Sequence, residues 1–552
     1  MFSVGGSQTK LGVVMSWSQE EYTRRDVLKV GAAGVGLLAL GRLAAACGGT
    51  STTSSASPTA AGSPKTGGQL IVGRAFQPTV QAVGLDPHNM AVSSGNVYTA
   101  DKLYETLYIT DAKGVLQPWL VDSHEVSTDG MTYTLALKPD VVFSDGKAMT
   151  ADDVAWSLNR ARTSKTGSMS FLNFAIKDVT AVDAATVKIL LSQPWAPLLS
   201  DLSIYSDAIL PKDLNGLSEK EFFANPVGTG PFKLKSWAQQ GAEITMERNT
   251  NYWQAGKPYV DEVVFRVILD DNQRVLQVQS GGVHIIDTVP PAQVEALKGD
   301  SKVAVGVFPA WSVDLVFFNE KVKYYADRNV RRAIAYTIDT KAIASATTFN
   351  TAPAGGSFFP PSLQYYDANT PLLSYDIEAA KAELAKSAYP NGFETKILIP
   401  SGNQVWLQTA QILLDSMAKI GIKATIDQKD EAAYQKDFRS FNYDQMINNA
   451  INDISDPDEM AAFQCDPKGG FSDSFWTGYN NPEVVKLVRE AAAEMDSTKR
   501  GEMYSQIQAM VAQDAPYVAL TYPPSIYSWG TAVNGFAVNP GGAYMLESVW
   551  LA

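Results

Sequence analysis

The chain predicts an α/β body, because short segments of helical and of strand periodicity follow one another along most of its length, each ended by turn chemistry. Two further observations bound that body. Residues 69–552 contain no low-complexity break, and no internal repeat is visible. At roughly 100–200 residues per domain, a stretch of this length predicts two to four domains.

The elements can be justified in order. Leu70, Ile71 and Val72 open the body as an apolar strand. In residues 131–137 (MTYTLAL), Tyr133, Leu135 and Leu137 share one face at period two, as a half-buried strand requires. Thr150-Ala151-Asp152-Asp153 reads as a capping box, with the Thr150 hydroxyl accepting from the Asp153 amide and a carboxylate at the positive helix end. Val154 and Leu158 continue that helix. Val187, Ile189 and Leu191 alternate again, and Ile244 with Met246 and Phe265 with Val267 mark two more strands. Thr409, Leu413, Met417 and Ile420 share a helical face that stops at Gly421, a residue suited to a left-handed cap. Ile422, Ala424 and Ile426 resume as a strand. Asn481-Pro482 reads as an N-cap followed by a proline in the first helical turn, with Val484, Val488, Ala491, Ala492 and Met495 as the apolar stripe.

The N-terminal region has a different character. Arg24 and Arg25 precede an apolar run over residues 30–40, then Leu43-Ala44-Ala45-Ala46-Cys47. Charged, apolar and small-residue regions in that order form the layout of a secretory signal. The apolar run is shorter than the roughly 20 residues that span a bilayer. The arginine pair resembles a twin-arginine signal, with Val27 where Phe is usual. Residues 44–47 resemble a lipobox, which implies cleavage after residue 46 and a lipid on Cys47. Met15 is an alternative start. Residues 48–68 (GGTSTTSSASPTAAGSPKTGG) lack aromatic and long aliphatic side chains and read as a flexible tether, with a reach on the order of 25 Å.

Composition excludes several classes. The 58 Asp and Glu outweigh 45 Lys and Arg, giving a formal net charge of −13, and losing residues 1–46 would make it −15. An acidic body argues against nucleic acid as a partner, which needs clustered cations. The three histidines (His88, His124, His284) form no local metal clip, and neither a phosphate loop nor a GxSxG elbow occurs. No metal, cofactor or enzyme activity is expected. If Cys47 carries lipid, Cys465 has no partner for an internal disulfide.

A dozen motifs then fall in a familiar order. They include Leu85-Asp86-Pro87-His88, Leu103-Tyr104-Glu105-Thr106-Leu107, Asp129-Gly130-Met131-Thr132-Tyr133 and Phe143-Ser144-Asp145-Gly146-Lys147. Thr150 to Val154, Gly228-Thr229-Gly230-Pro231-Phe232, Glu247-Arg248-Asn249, Tyr252-Trp253 and Val330-Arg331-Arg332-Ala333-Ile334 follow, then Asp456-Pro457-Asp458 and Tyr479-Asn480-Asn481-Pro482. In this the chain resembles the family-5 extracellular solute-binding proteins of ABC importers, of the peptide and nickel type. The resemblance implies a two-lobe periplasmic-binding-protein-like (class II, flytrap) fold with an extra subdomain in the first lobe. The implied boundaries are 69–104, 206–313 and 521–552 for lobe I, 105–205 for its extra subdomain and 314–520 for lobe II. It further implies a monomer outside the cytoplasm, anchored through lipid on Cys47, that captures a small molecule or oligopeptide and hands it to an ABC permease and ATPase complex. A solute or signal-peptide sensing receptor on the same fold is the alternative, and an enzyme built on that scaffold is the lesser one.

Asp453-Ile454-Ser455-Asp456-Pro457 matches the segment whose first aspartate, in peptide-binding relatives, holds the ligand's amino group. Asp453 is therefore the candidate anchor, or else a turn cap. Asn448, Asn449 and Asn452 replace the Gly-Trp usual just upstream, which leaves room for a sugar, a modified peptide or another polar solute. Further candidates are Phe76 after the first strand, Trp311 near the hinge, Asn403 and Trp406 at a helix start whose amides can meet an anion, and Trp476 before the Asn481-capped helix. Each aromatic has core packing as its alternative role.

Overall fold

The computed structural model describes residues 62–76, 85–89, 99–165, 167, 169–238, 242–470 and 473–552. Arg24, Arg25 and Cys47 lie outside them. Three larger sheets organise the described chain. The first has seven strands in the order Val303–Phe308, Ser525–Gly530, Ile285–Ile286, Gln69–Arg74, Glu262–Val267, Glu243–Arg248 and Phe232–Ala238. Its centre is parallel, with Val72 beside both Phe265 and Ile285. The second has five strands in the order Lys423–Lys429, Glu394–Pro400, Gln445–Ile451, Ser312–Phe318 and Tyr517–Thr521. The third is antiparallel, Val121–Val126, Thr132–Leu137, Thr186–Leu191 and Ile176–Ala181, with the helix Ala151–Arg162 packed on it.

Each sheet carries its own apolar core. Leu70, Val72, Ile244, Met246 and Phe265 anchor the seven-stranded sheet. Val316, Ile397, Leu413, Met417 and Ile447 fill one face of the five-stranded sheet, and Val313, Leu315, Met446 and Tyr517 belong to the cluster on its other side. Tyr133, Leu135, Leu137, Val187, Ile189 and Leu191 fill the four-stranded layer, as their period-two spacing predicts. Separate cores joined by few strands make separate lobes. The chain crosses between the two large sheets at residues 309–311 and again at 522–524. At the first crossing Trp311 is fully buried, its backbone N–H donating to Pro540 O at 2.8 Å and its indole N–H to Ser362 O at 3.0 Å.

Local chemistry sets the helix ends. Asn481 Oδ1 caps Pro482–Ala493 by accepting from the Glu483 amide at 3.0 Å. Gly421 sits at φ 83°, the left-handed turn that sends the chain from the helix Gln404–Ala418 into the next strand. The capping box at Thr150 to Asp153 is present, and the Asp153 carboxylate accepts both the Thr150 N–H at 2.8 Å and the Thr150 hydroxyl at 2.7 Å. One local reading is corrected. Met495 lies beyond the end of Pro482–Ala493 and is 46% exposed, because the chain has already left the helical path that would bury it.

The four-stranded subdomain also reaches the second lobe. Ser200 Oγ lies 2.8 Å from Ser455 Oγ and accepts the Asp456 N–H at 3.0 Å. The Ala196 N–H donates to Ala492 O at 2.8 Å, and Phe171 meets Phe463 edge to face at 4.9 Å. Met169, Leu172 and Ile204 pack around Ile454.

Candidate functional site

Where the lobes meet lies a partly open cavity of about 230 Å³. One wall is the segment 100–106, which must lie close against the chain at 228–231. Gly228 and Gly230 make this possible: a Cβ on Gly228 would stand 2.2 Å from Leu103 O, and one on Gly230 2.6 Å from Lys102 O. Their backbone seals the contact, with Gly230 N–H donating to Leu103 O at 3.0 Å. The Gly-Thr-Gly-Pro-Phe motif therefore works by backbone approach. Pro87 and Ala208 continue the wall. Behind them Arg160 clamps Asp86 at 2.6 and 2.9 Å and donates to His88 Nδ1 at 2.9 Å, while His88 Nε2 donates to Ala208 O at 2.8 Å. Burial, then the Arg160 charge, lowers the His88 pKa to about 4, so the ring stays neutral in this frame.

Among the described residues, five charged ones line the cavity: Asp101, Lys102, Glu105, Glu547 and, from the second lobe, Asp453. Lys102 Nζ is 2.6 Å from Asp101 Oδ2 and 4.9 Å over the Tyr544 ring. Glu105 accepts from Trp119 Nε1 at 2.8 Å, Tyr252 Oη at 2.9 Å and Trp253 Nε1 at 3.0 Å. Burial raises its pKa to about 7 despite those donors. Burial also raises Asp101 and Glu547. The lining is thus rich in carboxyls and poor in cations.

The second lobe contributes Ile451 and Asp453. The turn carrying Asp453 is built by its neighbours. Asn452 donates to Asp456 O at 2.9 Å and accepts from Met460 N at 2.9 Å, and Asp456 Oδ1 accepts from Asp458 N at 3.0 Å. Arg500 grips Asp456 with two bonds of 2.8 and 3.0 Å. The Asp453 side chain is left half-buried at the cavity wall, with its own N–H donating to Glu459 Oε2 at 2.7 Å. Burial raises Asp453 to about 6, against a hydrogen bond from Glu459 that lowers it. Glu459, on the helix Asp458–Cys465, is fully buried and had no signal in the sequence beyond an acid in a first helical turn.

The other candidates sit elsewhere. Trp406 and Asn449 converge on Asp314, a buried carboxyl in the strand Ser312–Phe318 that accepts from Asn449 Nδ2 at 2.8 Å, from the Trp406 side chain and from Thr521 Oγ1 at 3.2 Å. Asn403 caps the helix that carries Trp406, accepting its backbone N–H at 3.0 Å. Burial raises Asp314 to about 6. A carboxylate inside the apolar run Ser-Val-Asp-Leu-Val-Phe-Phe was the signal that could have found this cluster. Asn449 also donates to Ser312 Oγ at 2.9 Å, and the Asn448 Oδ1 accepts from Tyr434 at 3.1 Å. Trp476 stacks on Phe475 and meets Phe438 at 4.9 Å within the second lobe. Phe76 is 46% exposed at the end of a described stretch. Among the described residues no group of three metal-ligating side chains is assembled, and no helix is long and apolar enough to cross a membrane.

A model of the bacterial extracellular solute-binding proteins, family 5, matches residues 115–472. The chain is a family 5 solute-binding protein. The family consists of binding components of ABC importers, and its two-lobe fold is the one described above. This binding protein is 30% identical over 495 residues, 87% of its length and 93% of the relative's, to the probable D,D-dipeptide-binding periplasmic protein DdpA of Escherichia coli K12. It is 28% identical over 550 residues to the oligopeptide-binding protein AppA of Bacillus subtilis, covering 94% of this chain and 97% of that one. Among solved structures, that of the DppA binding protein of Helicobacter pylori with the peptide STSA superposes with a TM-score of 0.75 at 26% identity, covering 88% of this binding protein and 98% of the other.

Proposed function

We propose that this binding protein is a lipid-anchored receptor, held outside the cytoplasm through Cys47, that captures a compact amine-bearing solute of the dipeptide class between its lobes and delivers it to an ABC permease and ATPase complex. The observation that carries the reading is Asp453. It is the charged side chain that the second lobe, which also contributes Ile451, brings to a cavity walled mainly by the first. A ligand ammonium moved from water into that cavity needs a charge partner, and Asp453 supplies one where both lobes can touch the same solute. About 230 Å³ is below the roughly 300–1,000 Å³ of drug-sized sites, which supports a small solute over a long peptide. The D,D-dipeptide in the name of the DdpA relative points the same way. Closure would follow because only the closed state contacts the solute from both sides.

The test is native mass spectrometry of the mature protein purified from its own cells, paired with Asp453→Asn. A retained solute of dipeptide size with a primary amine, weakened more than tenfold by Asp453→Asn at unchanged apo melting temperature, is the expected result. A retained solute lacking any cationic group would overturn the reading.

A further inference from the structure

Asp453 does not stand alone. Its side chain and that of Glu459 are hydrogen-bonded to each other, and Glu459 Oε2 also accepts the Asp453 N–H at 2.7 Å. Two ionised carboxylates have four acceptor oxygens and no donor, so a hydrogen bond between them requires a proton. The positions of the two groups decide where it resides. Glu459 is 2% exposed, on the helix behind the wall, whereas Asp453 is only half-buried and borders the cavity. The more deeply buried acid keeps the proton and donates; the one at the cavity keeps the charge.

Among the described residues, the surroundings of the pair are mainly acidic. Asp201, at the end of the helix Leu198–Asp201 from the first lobe, faces Glu459 with a further carboxyl. Asp456 and Asp458 lie on the same turn and helix, and the Arg500 guanidinium is committed to Asp456. Across the cavity, Lys102 is held by Asp101, and Glu105 and Glu547 add two more acids. The groups acting most strongly on Glu459 are the carboxyls of Asp453 and Asp201.

Resting on the reading of this cavity as the solute site, we propose that Glu459 is a positioning residue for capture. It holds one proton in the bond to Asp453, fixes that carboxylate toward the cavity, and makes the pair a receptor of single negative charge for one ligand cation. The proton stays on Glu459 when the solute binds, so the complex neither needs nor ejects a second charge. Glutamine can reproduce both bonds: its amide N–H donates to Asp453 and its oxygen accepts the Asp453 N–H. A role that needed the acid itself would not tolerate that exchange.

The experiment has a ligand-free arm and a binding arm. Carboxyl carbon-13 spectra of the apo protein, assigned with Glu459→Gln and Asp453→Asn, should show Glu459 protonated at pH 7.5 and Asp453 ionising near pH 6. An ionised Glu459 at pH 7.5 overturns the proposal whatever the ligand. In the second arm the probe is L-alanyl-L-alanine, followed by calorimetry at pH 7.5 in phosphate and in Tris. Wild type and Glu459→Gln should bind it within threefold of each other with no net proton release, and affinity should fall about tenfold per pH unit below 6 as Asp453 takes up its proton. A tenfold loss in Glu459→Gln, or release of one proton at pH 7.5, overturns the proposal. Glu459→Ala, which removes the donor, should lose tenfold or more. Failure of alanyl-alanine to bind while Glu459 remains protonated refutes the dipeptide reading and upholds the pair, so the two ideas fall separately.

Discussion

Asp207 offers a sharp test of how burial governs this protein's response to acid. It lies behind the cavity wall, fully buried at the end of the turn Tyr205–Asp207, with Asn173 Nδ2 donating to Oδ1 at 2.6 Å. Among the described residues no cation acts on it, and burial raises its pKa to about 7. An unfolded aspartate titrates near 3.9. The raised folded value means the native state holds the proton more tightly. The stability this brings is complete below about pH 4 and lost as pH rises through 7. Three units at 1.36 kcal/mol each give an upper bound of about 4 kcal/mol, and about 2 kcal/mol is reasonable once local relaxation is allowed. Burial raises Glu105, Asp314, Asp453 and Asp458 in the same sense, to about 6 or 7. The wild-type urea midpoint should therefore climb on going from pH 8 to pH 5. Asp207→Asn, which cannot ionise, should match wild type below about pH 4 and exceed it by about 2 kcal/mol at pH 8. A variant less stable than wild type at pH 8, or one with the same pH slope, would refute the argument.

Three other outcomes are expected. Arg500→Met strands Asp456 beside Asp458, and breaking one side of such a buried pair costs about 3–5 kcal/mol; urea unfolding should show this together with weaker solute binding. Gly228→Ala drives a Cβ to 2.2 Å from Leu103 O, so its melting temperature should fall and the cavity wall shift, whereas Gly256→Ala, where nothing stands within 4 Å but φ is 79°, reports backbone strain alone. Cys47→Ser should move the exported protein from the membrane to the soluble fraction, since acyl chains contribute about 0.8 kcal/mol per buried methylene; retention on membranes would remove the lipid from the account.

What could be read from the sequence was local. The Asn481-Pro482 start and the left-handed Gly421 depend on neighbours a few residues away, and both stand as anticipated. Sheet order was not legible, because Gln69 pairs with Glu262 and Ala304 with Trp529, and period-two spacing says nothing about such partners. The site divides the same way. Asp453 was visible through its motif and borders the cavity. Glu459 was not, since an acid opening a helix ordinarily complements the helix dipole in solvent. Trp406 and Asn449 were named singly; that they share the carboxylate of Asp314 depends on a helix and a strand far along the chain from it.

The Ala196–Ala492 backbone bond and the Phe171–Phe463 ring contact have a practical use. Both join lobes at points outside the residues that line the cavity, so a dye pair placed beside either would report closure without touching whatever is captured. Such a reporter is indifferent to solute chemistry. A protein labelled this way could be screened against whole metabolite extracts, and the fraction that brings the dyes together would contain its ligand.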